Sequence, residues 1–292
     1  MLGHLGVGGF SDLWSCSRLL TRKMFTDGQH NEKAWDDLVR EGTVFANPAQ
    51  PEDFREPEKV INPFGWLPAR LAGLRVLCLA AGGGRHGPIF AAQGADVVVM
   101  DISEAMLRLD EDVSRRERVR LTTVKGDMTD LSDFGDAIFD IVLQPVSSCY
   151  VESLDGLYAE VARVMKPGGT YVSQHKQPVS LQTSILPAAD GGYRLEEPYY
   201  RSGTLPQVAG SEHREVGTRE YLHRLEELLG GMCRAGFVIE DLKEPRHGDP
   251  NASKGTFAAR SYYVPPYVAI KATRNGEVSG SGLLWIPSSG GA

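Results

Sequence analysis

The sequence has few cysteines, no long apolar run and no excess of positive charge, and each shortage excludes a class of protein. Only four of its 292 residues are cysteines, and they are widely spaced, with no CxxC pair. This pattern argues against a zinc site and against a disulfide scaffold, and it is typical of reduced thiols in the cytosol. We therefore predict a cytoplasmic protein that holds no metal.

No apolar run approaches the ~20 residues that a membrane-spanning helix requires, so we predict no membrane partner. The formal net charge of −7 argues against a general nucleic-acid-binding protein, whose surface should be basic. The first residues lack the compact apolar core and the cleavage site of a signal peptide. We interpret residues 1–23 as a loose extension ahead of Met24, a candidate start. No sequence feature indicates an oligomeric state.

One stretch, residues 76–102, reads as a strand, a glycine turn, a helix and a second strand that ends on an acid. It opens with the apolar run Val-Leu-Cys-Leu, turns at Ala80-Ala81-Gly82-Gly83-Gly84, and ends its second strand on Asp101. Small residues let a cofactor approach the backbone, amides at the helix start can donate hydrogen bonds to it, and the acid can bind ribose hydroxyls. The stretch therefore predicts a nucleotide-containing cofactor.

Strands and helices alternate over residues 75–175, which predicts a mostly parallel sheet covered on both faces. The last two strands, 237–242 and 267–273, are separated by a loop, so we expect an antiparallel hairpin at the sheet edge. Residues 176–216, with four prolines and no sustained period, should form an insertion after the fifth strand. The predicted fold class is α/β, a Rossmann-like doubly wound sheet. The other predicted strands are 76–79, 97–100, 119–124, 138–143 and 170–175.

Helices are predicted from apolar residues at helical spacing and from capping residues. Thr218 should cap a helix that ends at Gly236. The Lys-Pro-Gly-Gly turn at 166–169 should stop the helix before it. Residues 47–68, rich in proline and acids, should form an irregular lead-in to the first strand. The other predicted helices cover 31–39, 89–92, 103–118 and 153–165, with Ser103 as a cap.

The glycine turn is compatible with two cofactors. Gly82, Gly84 and Gly87 satisfy the GxGxxG spacing of dinucleotide-binding enzymes, so an NAD(P)-dependent oxidoreductase is one interpretation. Features further along the chain favour a different cofactor. The third strand leads into Gly126-Asp127-Met128, the fourth ends in Gln144-Pro145, and the last two strands form a hairpin.

With these features the chain resembles the class I S-adenosylmethionine-dependent methyltransferases. The resemblance covers residues 70–175 well and 218–273 in outline. It implies a methyltransferase domain over 61–275, in which 176–216 form a lid or substrate insertion. An N-terminal extension and cap over 1–60 would precede this domain, and a flexible tail over 276–292 would follow it.

Two positions of the turn depart from the family pattern. The family usually has an acid and a glycine where this chain has Cys78 and Ala80. This departure raises an alternative, a non-catalytic module that keeps the fold and binds the cofactor. Residues 77–84 and 145–147 also resemble a branch of the family with a Leu-Cys-Leu-Ala-x-Gly-Gly-Gly motif and a Pro-Val-Ser step after the fourth strand.

The resemblance implies that S-adenosyl-L-methionine is the cofactor and gives several residues a role. The backbone of residues 80–84 would face its methionine part, Asp101 would bind both ribose hydroxyls, and Asp127 would bind the exocyclic amine of the adenine. Gln144 and Pro145 would line the point where methyl donor and acceptor meet. The implied cofactor contacts are Ala80, Ala81, Gly82, Gly84, Asp101, Ile102, Met106, Gly126, Asp127, Met128, Gln144 and Pro145.

Methyl transfer from a sulfonium mainly requires alignment of the acceptor and exclusion of water, so it imposes no invariant catalytic residue. His175, at the end of the fifth strand, and Tyr150, after the fourth, are our catalytic candidates as a base or an acceptor ligand. Structural hydrogen bonding for His175 and core packing for Tyr150 are the alternatives. We predict a small-molecule acceptor and no nucleic-acid partner, with residues 176–216 forming much of the acceptor pocket. A protein acceptor stays an alternative.

Overall fold

The computed structural model describes residues 26–208 and 211–276. The predictions for residues 1–23 and for a tail beyond residue 276 lie outside this described part. Within it, no helix is both long enough and apolar enough to cross a membrane.

A seven-stranded sheet forms the centre of the described chain. Its strands are β1 (Arg75–Leu79), β2 (Asp96–Asp101), β3 (Thr122–Lys125), β4 (Phe139–Gln144), β5 (Met165–Lys176), β6 (Phe237–Lys243) and β7 (Tyr267–Arg274). They lie in the order β3-β2-β1-β4-β5-β7-β6. The first five strands pair in parallel, and β7 pairs antiparallel with both β5 and β6. This confirms the predicted Rossmann-like sheet with an antiparallel C-terminal hairpin at its edge.

Helices cover both faces of the sheet. They are α1 (Asp27–Arg40), α2 (Pro51–Arg55), α3 (Glu58–Ile61), α4 (His86–Ala92), α5 (Glu104–Glu117), α6 (Leu154–Val164), α7 (Pro178–Gln182), α8 (Gly231–Arg234) and α9 (Phe257–Ser261). A π-helical turn, Glu226–Gly230, leads directly into α8, and short 3₁₀ turns occur at Val44–Ala46 and Ser148–Tyr150. Ser103 caps α5 as predicted, because its side chain accepts a hydrogen bond from the Met106 amide at 3.1 Å.

Each face of the sheet has its own apolar core, and alternate residues of β1 serve opposite faces. Leu77 and Leu79 pack with residues of α6 on one face, and Val76 and Cys78 pack with Ile89 of α4 on the other. These four side chains of β1 are completely buried. Successive residues of a strand point to opposite faces, so burial on both faces requires the continuous apolar run seen in the sequence.

Residues 47–68 differ from the predicted irregular lead-in, because they contain α2 and α3. Pro51 occupies the first turn of α2, where its fixed φ favours a helix and its missing N–H leaves no bond unmade. The Gln50 amide donates to the Asp53 carboxylate at 2.8 Å, which caps the same helix end. Local capping was therefore sufficient to form one turn of helix in a segment that has no helical period.

The Lys-Pro-Gly-Gly segment, 166–169, lies within β5 rather than between a helix and a strand. Met165 pairs with Phe139, and the next pair is Thr170 with Ile141, so these four residues bulge out opposite a single residue of β4. Gly168 takes a φ of +77°, which suits glycine. The helix before it ends at Val164, one residue before the strand begins.

The helix predicted from Thr218 begins later than expected. The Thr218 hydroxyl donates to the Glu215 carbonyl at 2.9 Å instead of capping a helix. Residues 218–224 run without regular helix, and the Tyr221 amide donates to the Cys149 carbonyl at 2.7 Å. His223 is buried, with Nε2 at 3.0 and 2.9 Å from the carbonyls of Ser148 and Val151. Because these long-range bonds hold the segment extended, helical spacing alone was misleading here.

Candidate cofactor and acceptor site

A cavity of about 730 Å³ lies at the carboxyl ends of β1, β2 and β4. This volume falls within the range of ~300–1,000 Å³ found for small-molecule sites. In doubly wound sheets the crevice forms where successive strands lie on opposite sides of β1, and β2 and β4 flank it here. Most of the predicted site residues line this cavity. They are Ala80, Ala81, Gly82, Asp101, Ile102, Met106, Gly126, Asp127, Met128, Pro145 and Tyr150.

Asp101 is the central acid of the cavity wall. One carboxylate oxygen accepts a hydrogen bond from the Gly82 amide and the other from the Ser103 amide, both at 2.9 Å. Burial raises the pKa of Asp101 to about 6, although these backbone hydrogen bonds oppose the shift. Each carboxylate oxygen can accept a second hydrogen bond, so two further donors such as ribose hydroxyls fit this group.

The amides of the glycine turn are used inside the protein, which differs from the expected direct donation to a cofactor. Asp110 of α5 accepts from the Gly83 and Gly84 amides, both at 2.9 Å, through a single oxygen. Burial raises the pKa of Asp110 to about 7, and these two hydrogen bonds oppose the shift. The amides of Gly82, Gly83 and Gly84 are therefore already engaged by carboxylates of the protein.

Asp110 supports the glycine turn from behind, and the sequence analysis did not single it out. It follows Met106 by four residues and precedes Val113 by three, so it lies on the buried face of α5. An acid at core spacing on an otherwise apolar helix face was the available signal, since buried carboxylates need partners. It supplies the turn with a carboxylate although Cys78 stands where the family usually has an acid.

Two positions of the turn show why small residues are required. Ala80 takes a φ of +47°, a left-handed conformation that glycine adopts more easily. A Cβ added to Gly82 would lie 2.8 Å from Cβ of Met106 and 3.0 Å from Oδ2 of Asp101. The turn is thus packed tightly against α5 and the end of β2.

Asp127 follows β3 and forms a local turn at the cavity wall. Its Oδ1 accepts hydrogen bonds from the Thr129 amide at 2.9 Å and the Thr129 hydroxyl at 2.8 Å. Its Oδ2 faces Gly28 of α1, whose hypothetical Cβ would lie 3.3 Å away. Asp127 therefore combines turn formation with a position at the cofactor cavity.

The structure does not place the predicted cofactor contacts Gly84 and Gln144 on the cavity wall. Gly84 packs against α5, where an added Cβ would meet the Leu109 carbonyl at 2.7 Å. Gln144 is buried, donates to the Ser147 hydroxyl at 2.9 Å and accepts from the Tyr171 hydroxyl. Both therefore support the cavity from behind rather than lining it.

His175 is completely buried, and both of its ring nitrogens have partners. Nδ1 lies 2.6 Å from the Ser148 hydroxyl and Nε2 lies 2.8 Å from the Ser173 hydroxyl. Burial lowers the pKa of His175 to about 3, so the ring is neutral near pH 7. This position favours the structural alternative over a role as base, because a base must reach the acceptor.

Helix α1, which lies within the predicted N-terminal extension and cap over 1–60, forms the roof of the cavity. Asp27, Gly28, Asn31 and Trp35 all line the cavity from this helix. The Asn31 amide donates to the carbonyls of Tyr150 and Arg219 at 3.3 and 3.1 Å, and its oxygen accepts from the Arg219 amide at 2.7 Å. These bonds attach the roof to both walls of the cavity.

A buried ion cluster closes the far end of the cavity. Lys176, at the end of β5, donates to Glu215 and Glu220 at 2.5 Å each, and Arg214 pairs with Glu220. Of the predicted insertion 176–216, only Glu215 lines the cavity among the described residues. The described part of the insertion therefore contributes less to this cavity than the predicted acceptor pocket would require.

The fold and the cavity define an α/β enzyme that binds a nucleotide-containing cofactor at the carboxyl ends of its strands. Residues 77–173 match the family described as "Methyltransferase domain". The chain is 33% identical over 237 residues to a Bacillus subtilis (strain 168) protein named "Uncharacterized methyltransferase YbaJ", covering 75% of this chain and 91% of that protein.

A second relative is the demethylmenaquinone methyltransferase of Clavibacter sepedonicus, 36% identical over 208 residues, which cover 68% of this chain and 79% of that protein. The fold is similar to the crystal structure of an S-adenosylmethionine-dependent methyltransferase from Mesorhizobium loti. That likeness has a TM-score of 0.57 at 23% identity and covers 72% of this chain and 94% of the other. The chain belongs to the S-adenosylmethionine-dependent methyltransferases, and S-adenosylmethionine is its cofactor.

Proposed function

We propose that this methyltransferase acts on a small-molecule acceptor by in-line displacement. The observation that carries the proposal is the shape of the cavity, which runs from Asp101 to Tyr150 and Glu215 beneath the roof formed by α1. A roofed cavity of about 730 Å³ suits a cofactor together with a small acceptor. A macromolecular acceptor would need an open groove. The relative named as a demethylmenaquinone methyltransferase also acts, by its name, on a small molecule.

We assign the cofactor contacts by position along the cavity wall. Asp101 would bind the ribose hydroxyls, and Asp127 the adenine amine, with Ile102, Met106 and Met128 beside the ring. The backbone of residues 80–82 would lie against the methionine part, since no side chain larger than a methyl group projects there. These residues fit the cofactor because their polar atoms face a volume bordered by small and apolar groups.

Methyl transfer needs little from the protein beyond alignment of the acceptor and exclusion of water. S-adenosylmethionine supplies a methyl group that is already activated by the sulfonium. Pro145 and Tyr150 would align the acceptor, and Trp35 in the roof would exclude water from the reacting atoms.

We further propose that residues 26–60 act as the cap of a methyltransferase domain over 61–275. The Leu-Cys-Leu-Ala-x-Gly-Gly-Gly motif and the Pro-Val-Ser step support membership of the branch with these motifs. The free thiols of Cys78, Cys149 and Cys233 support a cytoplasmic location.

The cofactor site is tested by calorimetric titration with S-adenosylhomocysteine. Asp101→Ala removes two hydrogen bonds to a charged group, so we expect the affinity to fall about 10- to 100-fold. Asp96→Ala is a matched control, because Asp96 begins the same strand but is exposed and away from the cavity. Equal affinities for Asp101→Ala and the wild type would contradict the assignment.

The acceptor class is tested by incubating the enzyme with S-adenosylmethionine labelled in its methyl group. One reaction contains a protein-free metabolite extract, and the other contains a dialysed extract of protein and nucleic acid. We expect label to be transferred in the first reaction, and to be lost with Asp101→Ala. Transfer in the dialysed extract alone would overturn the small-molecule proposal.

A further inference from the structure

The ion cluster at the far end of the cavity leaves one carboxylate oxygen without a cationic partner. Glu220 accepts from Lys176 through one oxygen and from Arg214 through the other. Glu215 accepts from Lys176 through Oε2, and the Tyr150 hydroxyl is the polar group beside its carboxylate. Since Glu215 also lines the cavity, its Oε1 is the hydrogen-bond acceptor that this cluster can offer to a bound molecule.

The Tyr150 hydroxyl is the matching donor. It is buried without a hydrogen-bond partner in the described part of the chain, and Tyr150 lines the same cavity. Its ring is held by Trp35, with ring centroids 5.8 Å apart, and by the Lys176 ammonium 5.9 Å from the ring centroid. Burial and the nearby charge of Glu215 hold the pKa of Tyr150 well above its usual value, so the hydroxyl keeps its proton.

Other basic groups at this end of the cavity cannot accept a proton from an acceptor. Burial alone would lower the pKa of Lys176, but Glu215 and Glu220 raise it above its ordinary value, so Lys176 stays an ammonium. The ring nitrogens of His175 are both engaged with serine hydroxyls, and the ring is buried. Glu215, which accepts a hydrogen bond from Lys176 through Oε2 and lines the cavity, is the remaining candidate.

Glu215 also lies on the acceptor side of the methyl donor. Pro145 follows β4, and Lys176, the partner of Glu215, ends the adjacent strand β5. Adjacent strands are about 4.8 Å apart, so the end of β5 lies one strand away from the end of β4. Glu215 is bonded to Lys176 and therefore lies beside the end of β5. A small acceptor placed between these positions can reach both the methyl group and the carboxylate.

We propose that Glu215 and Tyr150 together bind an acidic hydroxyl of the acceptor, that of a phenol or an enol, and that Glu215 receives its proton during methyl transfer. This inference rests on the proposed small-molecule function and gives it a substrate class. Neither the family motifs nor the glycine turn assigns a role to Glu215.

The number of lone pairs selects oxygen as the nucleophile. A hydroxyl oxygen has one hydrogen to donate to Glu215 and two lone pairs, one to accept from Tyr150 and one to attack the methyl carbon. A neutral amine has a single lone pair, which cannot both accept from Tyr150 and attack. A phenol or an enol loses its proton to a carboxylate more readily than an alcohol does.

The step balances without any further reactant. An oxygen lone pair of the acceptor forms the new bond to the methyl carbon, and the sulfur–methyl bond breaks with its electron pair on sulfur. The electron pair of the acceptor O–H bond stays on oxygen, and the proton moves to Oε1 of Glu215. The products are a methyl ether and S-adenosylhomocysteine.

Binding is tested with 4-nitrophenol, whose phenolate absorbs visible light, in the presence of saturating S-adenosylhomocysteine. We expect wild-type enzyme to bind the neutral phenol and so to lower the phenolate absorbance, because a carboxylate is a weaker base than a phenolate and accepts a hydrogen bond from the phenol without removing its proton. Glu215→Gln should remove the absorbance change, and Tyr150→Phe should weaken binding about 10-fold. 4-Nitroaniline, which carries an amine in place of the hydroxyl, should bind at least 10-fold more weakly to the wild type.

Turnover is tested with 2-naphthol and S-adenosylmethionine. Loss of a general base lowers kcat about 10²- to 10⁴-fold, so we expect Glu215→Gln to lose that much methyl ether formation. Glu152→Gln is the matched control, because Glu152 lines the same cavity but is exposed to solvent.

Three results would overturn the proposal: a loss in Glu152→Gln and not in Glu215→Gln, a methyl group found on carbon, or no binding of either phenol. Each result counts only while S-adenosylhomocysteine binds the variant normally and its melting temperature is close to that of the wild type. Failure of the wild type to bind S-adenosylhomocysteine would instead contradict the proposed function. Tyr150→Phe leaves the ion cluster intact, so weaker phenol binding by this variant, with normal S-adenosylhomocysteine binding, reports on the acceptor contact alone.

Discussion

Asp101 and Asp110 share the amides of the glycine turn between them. Asp101 accepts from the Gly82 amide, and Asp110 accepts from the amides of Gly83 and Gly84. Both carboxyls are buried, and burial raises the pKa of each. The turn is therefore held by two acids from different elements.

The raised pKa of Asp110 predicts how stability changes with pH. In the folded protein this pKa is about 7, against an ordinary value of 3.8, so the folded state binds the proton more tightly. Stability contributed by this group is therefore present at low pH and is lost as the pH rises from about 4 to about 7, by at most ~1.4 kcal/mol per pH unit. Asp110→Asn should remove this loss.

Urea unfolding at several pH values measures the effect. We expect the free energy of unfolding of Asp110→Asn, relative to wild type, to rise steadily over this pH range. Asp112→Asn, on the same helix with a side chain 63% exposed, is the control and should track the wild type. Parallel curves for Asp110→Asn and wild type would show that the carboxyl does not titrate as described.

The left-handed conformation of Ala80 predicts an unusual response to glycine. Such a conformation costs about 1–2 kcal/mol for an L-residue, and glycine loses about 0.5–1 kcal/mol through its greater freedom when unfolded. Ala80→Gly should therefore be neutral or stabilising by up to about 1 kcal/mol in thermal unfolding. Ala80→Val should destabilise, because β-branched residues avoid positive φ.

Ala81→Gly is the control for this prediction. Ala81 has the same side chain and is more buried than Ala80, but its φ is not positive. Glycine there should destabilise the protein by about 0.5–1 kcal/mol. If glycine changed the stability equally at positions 80 and 81, the left-handed conformation of Ala80 would not be the cause.

At the scale of elements, helix α1 and the segment 217–221 depend on each other. Asn31 of α1 bonds both backbone groups of Arg219, and the Asp27 carboxylate accepts from Arg219 and from the Tyr221 hydroxyl. The segment in turn bonds Cys149 beside the cavity. Hydrogen bonds and ion pairs therefore join roof and wall, in addition to the ring contact between Trp35 and Tyr150.

Asn31→Ala should loosen this assembly. It leaves buried backbone groups of Arg219 and Tyr150 without partners, which costs about 1–3 kcal/mol. Hydrogen exchange should show lost protection in α1 and in residues 217–221, with little change in the sheet. Lys33→Ala, at a side chain 75% exposed on the same helix, should leave exchange unchanged. Uniform loss of protection through β1 and β4 would mean that α1 does not open independently.

At the scale of the whole molecule, Arg260 joins the insertion to the C-terminal part of the chain. It is buried, and its guanidinium donates to the carbonyls of Ser180, Thr183 and Ser184 at 2.7 to 3.0 Å. These carbonyls belong to α7 and the residues after it, whereas Arg260 lies in α9. One side chain therefore bonds two segments that are about 80 residues apart in sequence.

Arg260→Lys should release the insertion. A lysine has no planar fork of donors, so most of these carbonyls would stay buried without partners, at a cost of about 3 kcal/mol. Limited proteolysis should then cut within residues 186–204 faster than in the wild type. Arg246→Lys, at an exposed arginine, is the control. An unchanged cleavage rate would show that the insertion is held by other contacts.

Much of the fold could be predicted from the sequence because its signals are local. The apolar run before the glycine turn, the Ser103 cap and the loop between the last two strands each depend on neighbouring residues. Prediction failed where residues distant in the sequence determine the backbone conformation. Residues 218–224 have helical spacing but are held extended by the Cys149 carbonyl and by their other long-range hydrogen bonds.

The sequence by itself determined the order of strands and helices, the glycine turn, and the acids at the ends of β2 and β3. These follow from residue size, period and capping, which act over a few positions. Only the tertiary structure showed that Asp110 holds the turn, which residues of the predicted N-terminal cap line the cavity, and that Glu215 lines it while His175 does not. Those facts depend on which surfaces pack together, and packing joins residues whose separation along the chain carries no signal.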